Sequence, residues 1–418
     1  MFFQPLRGLQ LRQLKELTLD KPSVPFSGTG ELVIPLFPAE DSSVRPCVMT
    51  GDRVEPHSPL CASTQEGVAC LAVRSPCSAT VRDFFFLEHP LRGKVLCAVL
   101  TPEANQTPSA LPPRLDTITA GSEEILERAR EAGIIDETDG RPLYQKLDQA
   151  KREGCKIVLA DAVDDQPYLT AGLRTLIEQG EQTAKGTVLA ATAAGARRSC
   201  IAAYLPPELK RLIPLEIAGV SVMEIDGRYP CLPLVQAQLE AWGGGIRVGA
   251  QACAALYRAV KHRAPQTECM VTVAGSCIQT PQNLWVPIGT TLREILLSCG
   301  LKSEPDHILM GGYLRGREAS WDQPIVPEAG AVLAIKEAPS KAMHHCIGCG
   351  RCMKVCPVGL APVLIAQAAR RRSGKTIKRL NAKACIACGC CSFVCPCQCD
   401  ITRQTTEAAR LQREEEAQ

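Results

Sequence analysis

The chain has 418 residues and a formal net charge of +3, which supports roughly two to four domains with cores of their own. This near-balance of charge argues for neither nucleic acid nor an acidic membrane surface as a partner. Cysteine is the outlier. The chain has 23, eleven of them after residue 340, a usage suited to a reducing, anaerobic cytoplasm rather than a secretory compartment. The start Met1-Phe-Phe-Gln-Pro-Leu-Arg7 lacks the apolar core of a signal peptide, and no run reaches the roughly eighteen apolar residues of a spanning helix. A cytoplasmic chain is expected, peripheral to the inner face of the cell membrane only through partner subunits.

Residues 1–106 read as a small β sandwich. Glu31-Leu-Val-Ile-Pro-Leu-Phe37 and Val68-Ala-Cys-Leu-Ala-Val73 are its candidate strands and Thr50-Gly51-Asp52 a turn. Cys47, Cys61, Cys70, Cys77 and Cys97 fall here without Cys-x-x-Cys pairing, which suits small buried hydrophobes, with a redox-active thiol as the alternative. Residues 107–117 read as a linker. A helix from Ser122 to Ala132, stopped by Gly133, opens an α/β unit. Its expected strands are Lys156-Ile-Val-Leu-Ala160, Gly186-Thr-Val-Leu-Ala190 and Ala218-Gly-Val-Ser-Val-Met223, separated by helical patterns such as residues 169–179 and 251–260. Such alternation implies a parallel sheet, with ligands beyond the strand ends.

A phosphate cradle is not evident in this unit. Asp136-Glu-Thr-Asp-Gly-Arg-Pro142 sets three carboxylates where an anion needs bare N–H groups. Gly243-Gly-Gly245 and Gly249 read first as a turn, with phosphate binding as the alternative. A third unit follows, with strands at Met270-Val-Thr-Val-Ala-Gly275, Leu284-Trp-Val-Pro-Ile288, Ile308-Leu-Met310 and Ala331-Val-Leu-Ala-Ile335. Thr291-Leu-Arg-Glu294 is a capping box opening a helix that Gly300 stops. The unit resembles a β-grasp and reads as a docking element.

The end of the chain carries the chemistry. Cys346-Ile-Gly-Cys349-Gly-Arg-Cys352-Met-Lys-Val-Cys356-Pro357 and Cys385-Ile-Ala-Cys388-Gly-Cys-Cys391-Ser-Phe-Val-Cys395-Pro396 both have the bacterial two-cluster spacing. Three thiolates two residues apart wrap one cube, and the fourth, held off by three residues and a proline, points at the neighbouring cube. Cys346, Cys349, Cys352 and Cys395 are therefore expected on one [4Fe–4S] cluster, and Cys385, Cys388, Cys391 and Cys356 on the other. Zinc knuckles need only four sulfurs and leave the later cysteines of each run unexplained. Cys390, Cys397 and Cys399 are surplus, as alternate ligands, a reactive pair or inert neighbours. His344 and His345 read as solvent-facing. Arg370-Arg371-Arg372, Lys375, Lys378, Arg379 and Lys383 form a basic patch, either a solvated helix face or a dock for an acidic electron carrier.

In order, several stretches resemble the RnfC family of electron-transport subunits, which is related to the flavoprotein subunit of respiratory complex I. They are Glu31-Leu-Val-Ile-Pro-Leu36, Thr50-Gly-Asp-Arg-Val54, Ala132-Gly-Ile134, Pro167-Tyr-Leu-Thr170, Tyr229-Pro230, Val271-Thr-Val-Ala-Gly275, Val286-Pro-Ile-Gly-Thr290, Met310-Gly-Gly312, Val358-Gly-Leu360 and both cysteine runs. The resemblance implies a multidomain α/β plus β architecture. Its parts would be a barrel-sandwich hybrid with hammerhead (1–106), a complex-I-flavoprotein-like α/β domain (118–264), an SLBB β-grasp domain (268–337) and an α-helical ferredoxin-like dicluster domain (340–402), followed by a charged C-terminal tail (403–418).

Typical members hold FMN on a Gly-rich loop after Ala-Gly-Ile and carry Glu-Cys-Glu-Pro before Tyr-Leu-Thr. This chain has Asp136 to Pro142 and Asp161-Ala-Val-Asp-Asp-Gln-Pro167 there instead, so no FMN or NADH site residue is carried over. The second segment is similar to that of RnfC-like electron-transfer proteins associated with proline reductase (PrdC). The expected function is relay of single electrons through two [4Fe–4S] clusters between a reduced donor and a partner oxidoreductase. Expected partners are other subunits of an electron-transfer complex or a reductase, with ferredoxin or flavodoxin as carriers. One alternative is a NADH-oxidising, flavin-containing dehydrogenase subunit of an Rnf-type complex. Another is an Fe–S or thiol redox sensor.

Overall fold

Alternating apolar residues build the first sheet, in a computed structural model that describes residues 7–28, 30–38, 41–65, 70–89, 93–106, 120–204, 213–225, 227–336 and 345–417. Strands Leu32–Pro38, Gly93–Pro102, Ala79–His89 and Arg53–Val54 pair antiparallel in that order, beside a small ladder of Val44–Pro46 with Cys61–Ser63. Ile34, Leu60, Val81 and Leu100 fill the space between, each contributing about 1.5–3 kcal/mol by burial. The strand expected at 68–73 does not form in its described part. Residues 70–73 are irregular because Ala72 N–H bonds Arg130 O of the α/β unit and Val73 O takes the Leu60 N–H. Val68 and Ala69 lie outside the described residues, as do the linker 107–117 and His344. Cys61 and Cys97 are buried as expected, Cys70 and Cys77 half-buried, and Cys47 is exposed.

The α/β unit has the expected parallel sheet, in the order Val220–Ile225, Arg198–Tyr204, Ile157–Ala162, Gly245–Gly249, with Glu216–Ile217 antiparallel at one edge. One expectation fails: residues 186–190 are not a strand but the middle of the helix Gly180–Ala193. Its small residues let it lie tightly on the helix Ala250–His262; a Cβ on Gly186 would sit 1.8 Å from Cys253 O. The strand itself is Arg198–Tyr204.

The third unit is a six-stranded sheet of Val24–Pro25, Gln282–Pro287, Glu268–Ala274, Ala331–Ile335, His307–Met310 and Arg317–Glu318, covered by the helix Leu292–Ser298. The Thr291 hydroxyl accepts the Glu294 N–H, as the capping box requires. Its first strand comes from the start of the chain, so residues 7–25 leave the N-terminal β unit to join this sheet. There Thr18 and Thr170 share a hydroxyl contact of 2.9 Å, and Lys15 donates to Gln166 O and Leu169 O, both at 2.7 Å. These bonds clamp the start of the chain to the α/β unit.

The last unit is helical: Arg351–Val355, Pro362–Arg370, Gly374–Arg379, Cys390–Phe393 and Ile401–Ala417. Residues 403–418 were expected as a charged tail. Instead the helix Ile401–Ala417 buries Thr405, Ala408, Ala409 and Gln412, and Ala408 packs with Ile365 and Ala368 of Pro362–Arg370. No helix among the described residues is long and apolar enough to cross a membrane.

Candidate metal centre and the neighbouring cavity

The two cysteine runs fold alike, because positive φ falls at matching places in each. Gly348 (φ 69°) and Ala387 (φ 51°) follow the first cysteine by two, and Gly350 (φ 71°) and Gly389 (φ 81°) follow it by four. The left-handed turn aims the Gly348 N–H at Cys346 Sγ (3.3 Å) and the Ala387 N–H at Cys385 Sγ (3.4 Å). The Leu360 N–H likewise points at Cys356 Sγ (3.3 Å). Amide donors of this kind stabilise thiolate sulfur.

Cys356, although in the first run, lines a small apolar cavity with Cys385, Cys388 and Cys391 of the second. Its thiol is pushed up by burial, with Cys388 and Cys385 adding to the effect. Cys346, Cys349 and Cys352 neighbour one another electrostatically, and Cys399 lies by both Cys395 and Cys346. Cys346 and Cys349 are exposed, whereas Cys356 and Cys391 are buried. Of the surplus thiols, Cys390 hydrogen-bonds Cys388, which that bond holds down to about 7, and Cys397 and Cys399 are buried beside Cys395. His345 is exposed. Among the described residues no three Cys, His, Asp or Glu side chains close around a single ion; a four-iron cube spreads its thiolates over a wider shell than one ion does.

The second run is docked on the other domains. Tyr229 Oη donates to Cys388 O at 2.6 Å, and the Arg315 guanidinium lies over the Tyr229 ring at 6.0 Å. Arg315 in turn donates to Asp165 Oδ1 at 3.0 Å, while Asp165 Oδ2 accepts the Cys231 N–H at 2.6 Å. Gln166 fixes the same loop, its Oε1 accepting the N–H groups of Leu314 (3.1 Å) and Arg315 (2.9 Å). Gly389 is required where the loop meets the run: a Cβ there would stand 2.4 Å from Leu314 O. Rings of Tyr168, Tyr313 and Phe393 form a contiguous line beside this contact, with centroids 6.1 and 6.4 Å apart. The acidic segment Asp161 to Gln166 thus serves as a brace between three domains.

Where the α/β strands end against the β-grasp unit lies a cavity of about 270 Å³, walled by Glu137, Asp161, Asp164, Arg247, Arg315 and Glu328 among others. Arg247 pairs with Asp161 at 2.6 Å. Asp164 accepts the Leu173 N–H at 2.8 Å, and burial pushes its carboxyl up to about 6. The helix Ala250–His262 starts at this cavity, as a phosphate-binding helix would. Its amides are already engaged: Asp136 takes Gly249 N–H (3.0 Å), and Glu137 takes Gln251 N–H (2.7 Å) and Ala252 N–H (3.0 Å). A Cβ on Gly249 would fall about 2 Å from the Glu137 carboxylate, so the space is filled as well. These residues do not fit the phosphate of an FMN at this helix. Burial, with Asp136 beside it, pushes the Glu137 carboxyl up to about 8.

All eight expected ligands lie in one unit, grouped as the spacing suggests. Sequence reasoning missed Arg315, Tyr229 and Gln166; the only trace was that Asp161 to Gln166 and Tyr229-Pro230 stood out as motifs without a stated task.

A 4Fe-4S dicluster domain family model matches residues 339–396, and an SLBB domain model matches residues 270–311. The RnfC-type component of the proton-translocating ferredoxin:NAD(+) oxidoreductase complex of Clostridium ljungdahlii is 25% identical over 380 residues, covering 86% of this chain and 83% of that protein. The corresponding component of the ion-translocating oxidoreductase complex of Serratia proteamaculans is 27% identical over 340 residues, and that of Vibrio cholerae 26% over 400. These matches cover 76% and 90% of this chain but 48% and 51% of those proteins, so the chain spans about half their length. Among solved structures, the NAD+-reducing [NiFe]-hydrogenase in its H2-reduced state is similar at TM-score 0.46 and 14% identity, covering 71% of this chain and 63% of that one.

Proposed function

We propose that this chain, which belongs to the RnfC-like family, is the electron-relaying component of an ion-translocating oxidoreductase complex. Single electrons pass through two [4Fe–4S] clusters, one held by Cys346, Cys349, Cys352 and Cys395 and the other by Cys385, Cys388, Cys391 and Cys356. The observation that carries this reading is the matched fold of the two runs, with Cys356 against the thiols of the second. Each cluster supplies one-electron chemistry. The chain's own part is to hold thiolate sulfur with amide donors and to bury one site more deeply than the other.

The domain plan that accompanies this reading is the expected one: a barrel-sandwich hybrid at 1–106, a complex-I-flavoprotein-like α/β domain at 118–264, an SLBB β-grasp at 268–337 and a ferredoxin-like dicluster unit at 340–402. The last is extended by the helix to residue 417. Glu137 and Asp136 fill the helix start that would bind a cofactor phosphate, which favours a chain without FMN or NADH at that place. Electrons then arrive from another protein. Arg371, Arg372, Lys375, Lys378 and Arg379 are exposed on the unit that carries Cys346 and Cys349, which suits docking of an acidic carrier of the ferredoxin or flavodoxin kind. Attachment to the membrane runs through partner subunits.

Anaerobic electron paramagnetic resonance of the dithionite-reduced protein tests the relay. Two mutually broadened half-integer-spin signals are expected; a silent, zinc-loaded sample contradicts the proposal.

A further inference from the structure

We infer that Arg315 sets the order in which the two clusters fill, holding the one at Cys356, Cys385, Cys388 and Cys391 at the higher reduction potential. The inference rests on the two-cluster reading above and adds a direction to it. Reduction adds one negative charge to a cluster, so a fixed cation nearby stabilises the reduced form. Arg315 is such a cation. Its backbone N–H is held by Gln166, its guanidinium by Asp165, and its charged plane lies on Tyr229, whose hydroxyl donates to Cys388 O. Asp165 approaches from the side of Cys231, whose N–H its other oxygen accepts. The preceding carbonyl, Leu314 O, touches Gly389 closely enough to exclude any Cβ.

Among the described residues the other cluster has no comparable charge. Cys346 and Cys349 are exposed, and the cations of their own run, Arg351 and Lys354, are exposed too, so water and salt screen them. The consequence is an inward step. An electron accepted at the exposed cluster passes to the Arg315 side; the outer cluster loses one electron, the inner gains one, and no proton moves. The inner cluster holds the first electron while the outer one is free to receive a second. Tyr229 and Asp165 are positioning residues in this scheme, acting through Arg315 and the Cys388 backbone.

The test is a redox titration of the anaerobically purified full chain, followed by electron paramagnetic resonance, with a water-soluble paramagnetic relaxant to mark the outer cluster. In the wild type the cluster reduced first is the one the relaxant does not reach. Arg315→Gln should shift the distribution of the first electron between the clusters by roughly tenfold toward the outer one, which is a fall of about 59 mV in the inner potential. Asp165→Asn, which keeps the side chain's shape, should move the same potential upward and carries the test if Arg315→Gln loses iron. Iron and sulfide are counted on each sample. A wild type with fewer than about eight irons defeats the two-cluster reading itself. Full iron with both potentials unmoved, or with the outer one moved instead, overturns the role of Arg315.

Discussion

The carboxylate of Glu137 accepts the backbone N–H of Gln251 at 2.7 Å, at the first turn of the helix Ala250–His262. A helix start offers free amides and a positive dipole end to anions, and here the chain supplies the anion itself. The wild-type protein is therefore expected to be indifferent to FMN and to inorganic phosphate. Glu137→Ala vacates the amides of Gln251 and Ala252 and is expected to gain phosphate binding, seen as a rise in Tm of roughly 2 °C at millimolar phosphate. A phosphate- or FMN-dependent rise in the wild type would contradict this.

The same residue gives the fold a pH dependence. Burial first, and Asp136 second, raise the Glu137 carboxyl from 4.5 to about 8, and burial raises Asp164 from 3.8 to about 6. A folded pKa above the unfolded one means the folded state binds more protons in between. Stability from these groups is complete below about pH 4 and is lost as pH rises to about 8. Glu137→Gln removes the larger part. The Tm of the wild type relative to Glu137→Gln should be highest at pH 5 and fall steadily to pH 8; a difference that is flat or rises with pH would refute the assignment.

Crossed ligation makes a prediction that uncrossed ligation does not. Cys356→Ser, in the first run, should remove the cluster built on the second run, and Cys395→Ser, in the second, the cluster built on the first. Each variant should keep about four of about eight irons. In Cys356→Ser the surviving cluster should be the one open to a water-soluble relaxant, since Cys346 and Cys349 are exposed. Survival of the shielded cluster instead would show that each run holds its own.

Charge on the helical unit should govern encounter with a carrier. Arg371→Glu combined with Arg372→Glu is expected to slow reduction by an acidic ferredoxin about tenfold at low salt, with the gap closing as salt rises. Stopped-flow kinetics at two ionic strengths measure it. Equal rates in both proteins at low salt would assign the patch to a solvated face.

Local signals were readable in the sequence, and long-range ones were not. The cysteine spacing is a covalent ruler, and the alternation of strand and helix from Ile157 to Gly249 is a local pattern, so both could be read without a structure. Residues 186–190 misled because a run of small apolar residues looks the same in a strand and in a tightly packed helix; only the contact of Gly186 with Cys253 separates the two. The braces on the site were hidden for another reason. Arg315 meets Asp165 across 150 positions of the chain, and Tyr229 meets Cys388 across 159, separations at which no periodicity carries information. The acidic loop was legible in composition but not in role: that Glu137 caps a helix beginning 113 residues later follows only from the fold.

The central claim is that two clusters and no flavin form the redox equipment of this chain, and one measurement reaches it directly: iron, acid-labile sulfide and flavin counted on the same anaerobically purified sample. About eight irons and about eight sulfides per chain, with no flavin, is the predicted result, since each cube holds four of each. Stoichiometric flavin, or about four irons or fewer, would contradict it.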